Sequence, residues 1–190
     1  MKNKIAFIGL GIMGANMASH LIKFNQLNII SRKSSKTEKF IRKFKNNNNL
    51  IIYDNLKELK KNSNIIISCV GNDKDLINIY LSKEKILENI NKNSIIVDHT
   101  TASAKISKEI YKKFYRKGSY FYDAPISGGE IGAINGSLSI MVGGHKKNFS
   151  HLKAILGLYS KVLIYMGKSG NGQLAKMVNQ ICVASIIQGL

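Results

Sequence analysis

The chain has 190 residues, 44% of them hydrophobic, with a formal net charge of +18. That length holds one full core and the start of a second unit, and the composition is that of a globular protein rather than a disordered one. No apolar run reaches the ~18 residues of a membrane span. The two cysteines and four histidines have no metal-ligand spacing and form no disulfide framework, which points to a reducing, cytoplasmic setting without a metal site.

The N-terminus is basic, but its apolar part, KIAFIG (4–9), runs straight into glycines. It reads as a first strand, not a signal peptide. Gly9, Gly11 and Gly14 follow in G-x-G-x-x-G spacing and open a helix over 13–24. Alone the pattern is weak; between a strand and a helix it is the fingerprint of a dinucleotide site. Gly9 allows the tight turn, Gly11 lets the backbone approach a pyrophosphate, and Gly14 lets helix and strand pack closely. The helix start offers free N–H groups to the phosphates. Leu10, Ile12 and Met13 complete the expected cofactor loop.

The second strand, LNIIS (27–31), leads into RKSSK. A site for NAD commonly has an acidic residue there, for the ribose hydroxyls. This chain has Ser31 and Arg32, and an arginine grips a 2′-phosphate that a carboxylate would repel. NADP is therefore the expected cofactor, with NAD possible. A basic helix over 35–44 follows. The cluster Arg32, Lys33, Lys36, Lys39, Arg42, Lys43 and Lys45 supports a rival reading: a catalytically idle dinucleotide module with a basic nucleic-acid-binding surface. Lysine is spread along the whole chain, however, beside abundant asparagine and isoleucine. These residues share AT-rich codons, so base composition accounts for much of the charge, and nucleic acid is not the expected partner.

Beyond the surface run Asn46 to Asn49 the alternation continues. Strands are predicted at 50–53, 64–70, 93–99 and 119–125, with helices at 56–60, 73–81 and 103–117. The strands are continuously apolar, as when both sheet faces are covered. Strands at 137–144 and 162–167 flank a helix near 146–159. Such βαβ repetition predicts an α/β fold with a Rossmann-type, doubly wound, mostly parallel sheet. From about Gly172 a last helix runs to the chain end without a stop signal.

That helix contains GNGQLAKMVNQ (170–180). Helical spacing puts Gly172, Lys176, Asn179, Gln180 and Val183 on one stripe, with Met177, Val178, Ile181, Cys182 and Ile186 around the rest. The expectation is a polar trio on one side of a buried helix. Lys176 has no carboxylate nearby in sequence. It either faces a cleft as a general acid or base, or it snorkels to solvent; on spacing alone the two readings stand level. Two further segments favour the cleft. DAPISGG (123–129) offers Ser127 and the Gly128 and Gly129 amides to a carboxylate. DHTTAS (98–103) lies at a strand end, where open α/β sheets bind ligands.

Taken in order, FIGLGIMGANM, DHTTAS, DAPISGG and GNGQLAKMVNQ resemble the β-hydroxyacid dehydrogenase family, which includes 3-hydroxyisobutyrate dehydrogenase and tartronate semialdehyde reductase. The resemblance covers essentially the whole chain. It implies Lys176 as the catalytic residue, Ser127, Gly128 and Gly129 as binders of the substrate carboxylate, and Asn179 and Gln180 as further substrate contacts. It places Val70, Gly71 and Thr101 against the cofactor. It implies an NAD(P)-dependent oxidoreductase that interconverts a short β-hydroxy acid and its semialdehyde by hydride transfer. It also implies two parts, a cofactor domain over 1–167 and, over 168–190, the start of an interdomain helix. That helix would lead to a helical domain absent from this chain, and the full-length form would be a homo-oligomer. One departure is Gln180, where many members have asparagine. Another is the lack of the histidine-then-asparagine pair that 6-phosphogluconate dehydrogenases carry there, which argues against sugar-phosphate decarboxylation.

Overall fold

The computed structural model describes residues 3–30, 35–82, 86–88 and 90–189. The first half repeats strand and helix: β1 (Lys4–Ile8), α1 (Ile12–Leu21), β2 (Gln26–Ile30), α2 (Ser35–Lys43), β3 (Leu50–Tyr53), α3 (Leu56–Lys61), β4 (Ile65–Ser68) and α4 (Asp73–Leu76). Then come β5 (Ile95–Asp98), α5 (Ala104–Arg116), β6 (Tyr120–Asp123), β7 (Ile126–Ser127), α6 (Gly129–Asn135), β8 (Leu138–Gly143), α7 (Phe149–Leu156), β9 (Ser160–Gly167) and α8 (Asn171–Gln188). The sheet order is β3-β2-β1-β4-β5-β6-β8-β7, with β9 on β8. The run from β3 to β6 is parallel; β8 is antiparallel to β6 and β7, and β9 is parallel to β8.

The unbroken apolar strands are explained by two cores. Side chains alternate across a strand. Ile5, Phe7, Ile65, Ile67, Ile95 and Val97 face one layer with Met17, Leu21, Leu156 and Tyr159. Ala6, Ile8, Ile66, Ile96 and Phe121 face the other, with Leu59, Leu76, Tyr80, Ile110 and Phe114. Strand order reverses beside β1, and its neighbour β4 opens the second half of the sheet. Loops at the carboxyl ends of β1, β4 and β5 therefore gather around one crevice.

Several expectations are corrected. The helix over 73–81 is α-helical only through Leu76, then widens into a π-helical turn, Ile77–Leu81, closed by the Ser82 N–H on the Ile77 carbonyl. The strand expected over 119–125 ends at Asp123, and the pairing resumes in the two-residue β7. Pro125 stands between them and has no N–H to give a ladder. Helix α6 was not foreseen: with four glycines in or beside GEIGAIN, its propensity is poor. Helix α8 is buried at Gly172, Gln173 and Lys176, whereas Met177, Val178, Ile181 and Ile186 are exposed. The expected buried helix is thus buried only where it begins.

Candidate active site

Gly9 follows β1 with φ +95, and a Cβ there would lie 2.1 Å from the Cys69 carbonyl oxygen just beyond β4. At Gly14 a Cβ would lie 1.9 Å from the Gly9 oxygen, so the helix can sit this close to the turn only without a side chain. Gly11 is different: among the described residues nothing lies within 4 Å of its missing Cβ. It is the N-cap of α1 and provides no side-chain acceptor for the first-turn amides. That combination is a ready anion site. A cavity of about 240 Å³ lies beside it, lined by Gly9, Leu10, Gly11, Ile30, Lys36 and Thr37. Ile12 is exposed and Met13 half-buried at the helix start. Uncapped helix-start amides beside a cavity are the chemistry that can hold a phosphate group. Ser31 and Arg32 lie outside the described residues; Lys36, Lys39 and Lys43 line a recess on the other flank of the glycine loop.

A second cavity, about 500 Å³, opens next to Met13. Val70, Gly71 and Thr101 line one side, Ser127, Gly128 and Gly129 another, and Lys176 and Gln180 a third, with Cys69, His99, Thr100 and Val183 between them. Residues far apart in sequence thus share one hollow. Asn179 reaches it indirectly, its Oδ1 accepting from the Ser127 hydroxyl at 3.2 Å. Lys176 is 7% exposed, and burial lowers its pKa below that of an ordinary lysine. Among the described residues no carboxylate lies in ion-pair range of it. Lys176 is a lining residue of the hollow.

Beneath the hollow lies a polar floor. Asp98 Oδ1 accepts from the Ser68 hydroxyl at 2.6 Å and the Thr100 hydroxyl at 2.7 Å, and Tyr80 donates to Ser68 at 2.6 Å. Thr100 Oγ1 in turn accepts from the Val70 N–H at 3.0 Å, which ties the β4 and β5 loops together. Burial raises the Asp98 carboxyl to about 7, against the hydrogen bonds that pull it down. Among the described residues its Oδ2 is buried without a partner. His99 contacts the Ala124 carbonyl through Nδ1 at 2.6 Å, so Nδ1 carries the proton, and Nε2 accepts from Tyr159 at 2.7 Å. Burial lowers its pKa to about 4, so this imidazole is neutral. Burial lifts the Cys69 thiol to about 12, so it is no nucleophile at neutral pH.

Sequence reasoning did not assign Asp123, Gln173, Thr100 or His99, and it placed Lys36 in a basic cluster rather than beside the glycine loop. Asp123 and Gln173 were visible as letters of DAPISGG and GNGQLAKMVNQ, but nothing in their spacing marks them as partners. Among the described residues no group of His, Cys, Asp and Glu comes together as a metal site, and no helix is long and apolar enough to cross a membrane.

Residues 4–167 match the family described as the NAD binding domain of 6-phosphogluconate dehydrogenase. That match stops short of the lysine helix. An uncharacterized oxidoreductase of Shewanella frigidimarina is 39% identical over 188 residues, 98% of this chain and 63% of that protein. The mitochondrial 3-hydroxyisobutyrate dehydrogenase of Drosophila melanogaster is 35% identical, over 98% of this chain and 56% of that protein. The chain therefore spans roughly three-fifths of the length of these relatives. Among solved structures, 3-hydroxyisobutyrate dehydrogenase of Mycobacterium tuberculosis with L-serine superposes with a TM-score of 0.86 at 24% identity, over 97% of this chain and 61% of that one. Psf3 in complex with NADP+ and 2-OPP gives 0.85 at 21%, over 98% and 69%. At such identities the two structures speak for the fold.

Proposed function

The chain belongs to the family of nicotinamide-dependent oxidoreductases that includes 6-phosphogluconate and 3-hydroxyisobutyrate dehydrogenases, and from that premise we propose that it interconverts a short β-hydroxy acid and its semialdehyde with NADP, Lys176 being the general acid and base. One observation carries this reading: the hollow of about 500 Å³ that joins Val70, Gly71 and Thr101 with Ser127–Gly129 and Lys176. A bound nicotinamide dinucleotide supplies or accepts the hydride; the rest falls to the chain's own residues.

Ser127 and the Gly128 and Gly129 amides hold the substrate carboxylate, which orients the carbinol carbon. Lys176 takes the hydroxyl proton in oxidation and returns it in reduction. Its lowered pKa makes the neutral amine more available near neutral pH. The Ser127 hydroxyl, which rests on Asn179 Oδ1, turns its proton to the carboxylate when substrate binds, and Asn179 and Gln180 then contact the substrate. Positioning and acid–base catalysis supply most of the rate. The basic residues of α2 support a phosphate-binding role in place of nucleic-acid binding, because Lys36, Lys39 and Lys43 flank the glycine loop. The domain boundary at 167 and the helical second domain belong to the same proposal.

The test extends the chain to the length of its relatives and assays glyoxylate, succinate semialdehyde, tartronate semialdehyde and methylmalonate semialdehyde with NADPH and with NADH. Turnover of one substrate with a preference for NADPH is expected. Arg32→Asp should move that preference toward NADH by about tenfold or more, the scale of a charge-assisted phosphate contact. A protein that binds NADPH yet reduces none of the four would overturn the substrate class.

A further inference from the structure

Between Lys176 and the sheet stands a set of buried polar side chains to which the reading above gives no task. Helix α8 begins at a glycine: Gly170 is its N-cap, at φ 90, with no side chain to cap the helix. The first-turn amides are nevertheless packed inside the protein, where an unpaired donor is costly. Asp123, fully buried at the end of β6, supplies the acceptor from across the fold. Its Oδ1 accepts from the Gly170 N–H at 2.7 Å and the Ser169 hydroxyl at 3.2 Å, and its Oδ2 from the Gln173 N–H at 3.1 Å. There it also meets the positive end of the backbone dipoles. The approach needs Gly172, where a Cβ would lie 2.5 Å from both the Asp123 and the Met141 carbonyl oxygens.

Gln173 makes the second attachment. It is fully buried; its Nε2 donates to the Thr100 carbonyl at 2.7 Å and its Oε1 accepts from the Ala102 N–H at 3.1 Å. Those two bonds bracket Thr101. Lys176 follows three residues later on the same helix face, and Asp123 lies four residues before Ser127. One turn of α8 is thus fastened to the Ser127 loop through Asp123 and to the Thr101 loop through Gln173.

We propose that Asp123 and Gln173 are positioning residues, which set the depth and rotation of α8 so that Lys176 stands between the carboxylate-binding loop and the cofactor loop. The proposal rests on the reading of Lys176 as acid and base. Neither residue lines the hollow, so each acts through the lysine. A misplacement of about one ångström in such a site costs on the order of a hundredfold in rate.

Asp123→Asn keeps the shape but turns an NH2 toward an amide donor; Gln173→Met keeps the length and removes both bonds. Each is made alone and together with Lys176→Ala in the chain extended to its relatives' length. Turnover is measured on the semialdehyde reduced fastest in the panel, and NADPH affinity by fluorescence. Either variant should lower kcat by about tenfold or more and leave NADPH affinity within about threefold. Neither should lower further the residual rate of the Lys176→Ala protein. Equal losses with and without Lys176, a parallel loss of NADPH binding, or an unchanged kcat would each overturn the proposal. Parent-like turnover in Lys176→Ala alone would instead remove the acid–base reading, a different arm of the experiment. In the 190-residue chain, acetylation of Lys176 by acetic anhydride gives a readout without turnover. It should quicken several-fold in both variants relative to the exposed Lys168, and unchanged labelling counts against the proposal. Where Asp123→Asn does not fold, Gln173→Met carries both measurements.

Discussion

At the scale of single residues, the site sets neutral and charged groups side by side, and their protonation has consequences that can be measured. Lys176→Ala in the extended protein should reduce turnover about a hundredfold or more, the range for a positioned acid–base group, while NADPH affinity hardly changes; near-parent turnover would return the lysine to a packing role. Asp98 and His99, neighbours in the chain, pull stability in opposite directions. Asp98 binds its proton more tightly folded, near 7, than its ordinary 3.8, so between those values stability falls as pH rises. His99 is depressed from 6.5 to about 4, so the unfolded chain binds the proton more tightly and stability rises with pH over that window. From about 4 to 6.5 the two slopes oppose one another. Asp98→Asn removes the first and keeps an acceptor for Ser68 and Thr100. Its melting temperature should therefore climb more steeply from pH 4 to 6.5 than the parent's, then stay level to pH 8. A profile parallel to the parent's would mean that Asp98 is ionised throughout.

Elements hold together here through their ends as much as through their faces. Ser103 caps α5 by accepting from the Ile106 N–H at 3.2 Å, and its hydroxyl donates to Asp73 at the start of α4 at 2.6 Å. Asn72 accepts from the Lys74 and Asp75 amides, so two helix starts are joined at one corner. Ser103→Ala should cost about 1 kcal/mol, roughly 2–4 °C in melting temperature at this size. An unchanged melting temperature would show that solvent caps the helix equally well. These elements differ in how far the sequence discloses them. The strands of the first half were legible because β1, β4 and β5 are buried on both faces, so apolar residues run unbroken through Ile5–Ile8, Ile65–Ile67 and Ile95–Val97. Helix α5 was legible because Ile106, Ile110 and Phe114 recur at helical spacing beneath a capping serine. By contrast α6 and β7 depend on contacts: α6 is built from weak formers that α1 and β8 hold in place, and β7 exists only as a partner of β8. The same contrast runs through the site. Glycine spacing is local chemistry and can be read directly. The Asp123–Gln173 attachment links residues about fifty and seventy positions apart, and no local pattern encodes it.

On the scale of the whole molecule, two properties compete: a charge of +18 and an uncovered apolar helix. Ile181, Ile186 and Ile187 on α8 are each about two-thirds exposed, and Met177 and Val178 more than half. The first turn of α8 is fixed in the fold, so the later turns present this surface on a rigid stem. Such a patch favours association, while like charges on every copy oppose it over the Debye length, about 10 Å at 0.1 M salt. Salt should decide between them. The charge repulsion is screened as salt rises, whereas burial of the helix face is not weakened. The 190-residue chain should therefore sediment as a monomer in about 20 mM salt and associate progressively toward about 0.5 M. Ile181→Lys with Ile187→Lys should abolish the high-salt association and leave NADPH binding intact, since neither residue lines the glycine cleft or the hollow beside it. The opposite trend, association at low salt that dissolves at high salt, would point to an electrostatic contact between copies and away from α8. A monomer at every salt concentration would mean that exposed isoleucines on this helix are too few or too scattered to hold a second surface.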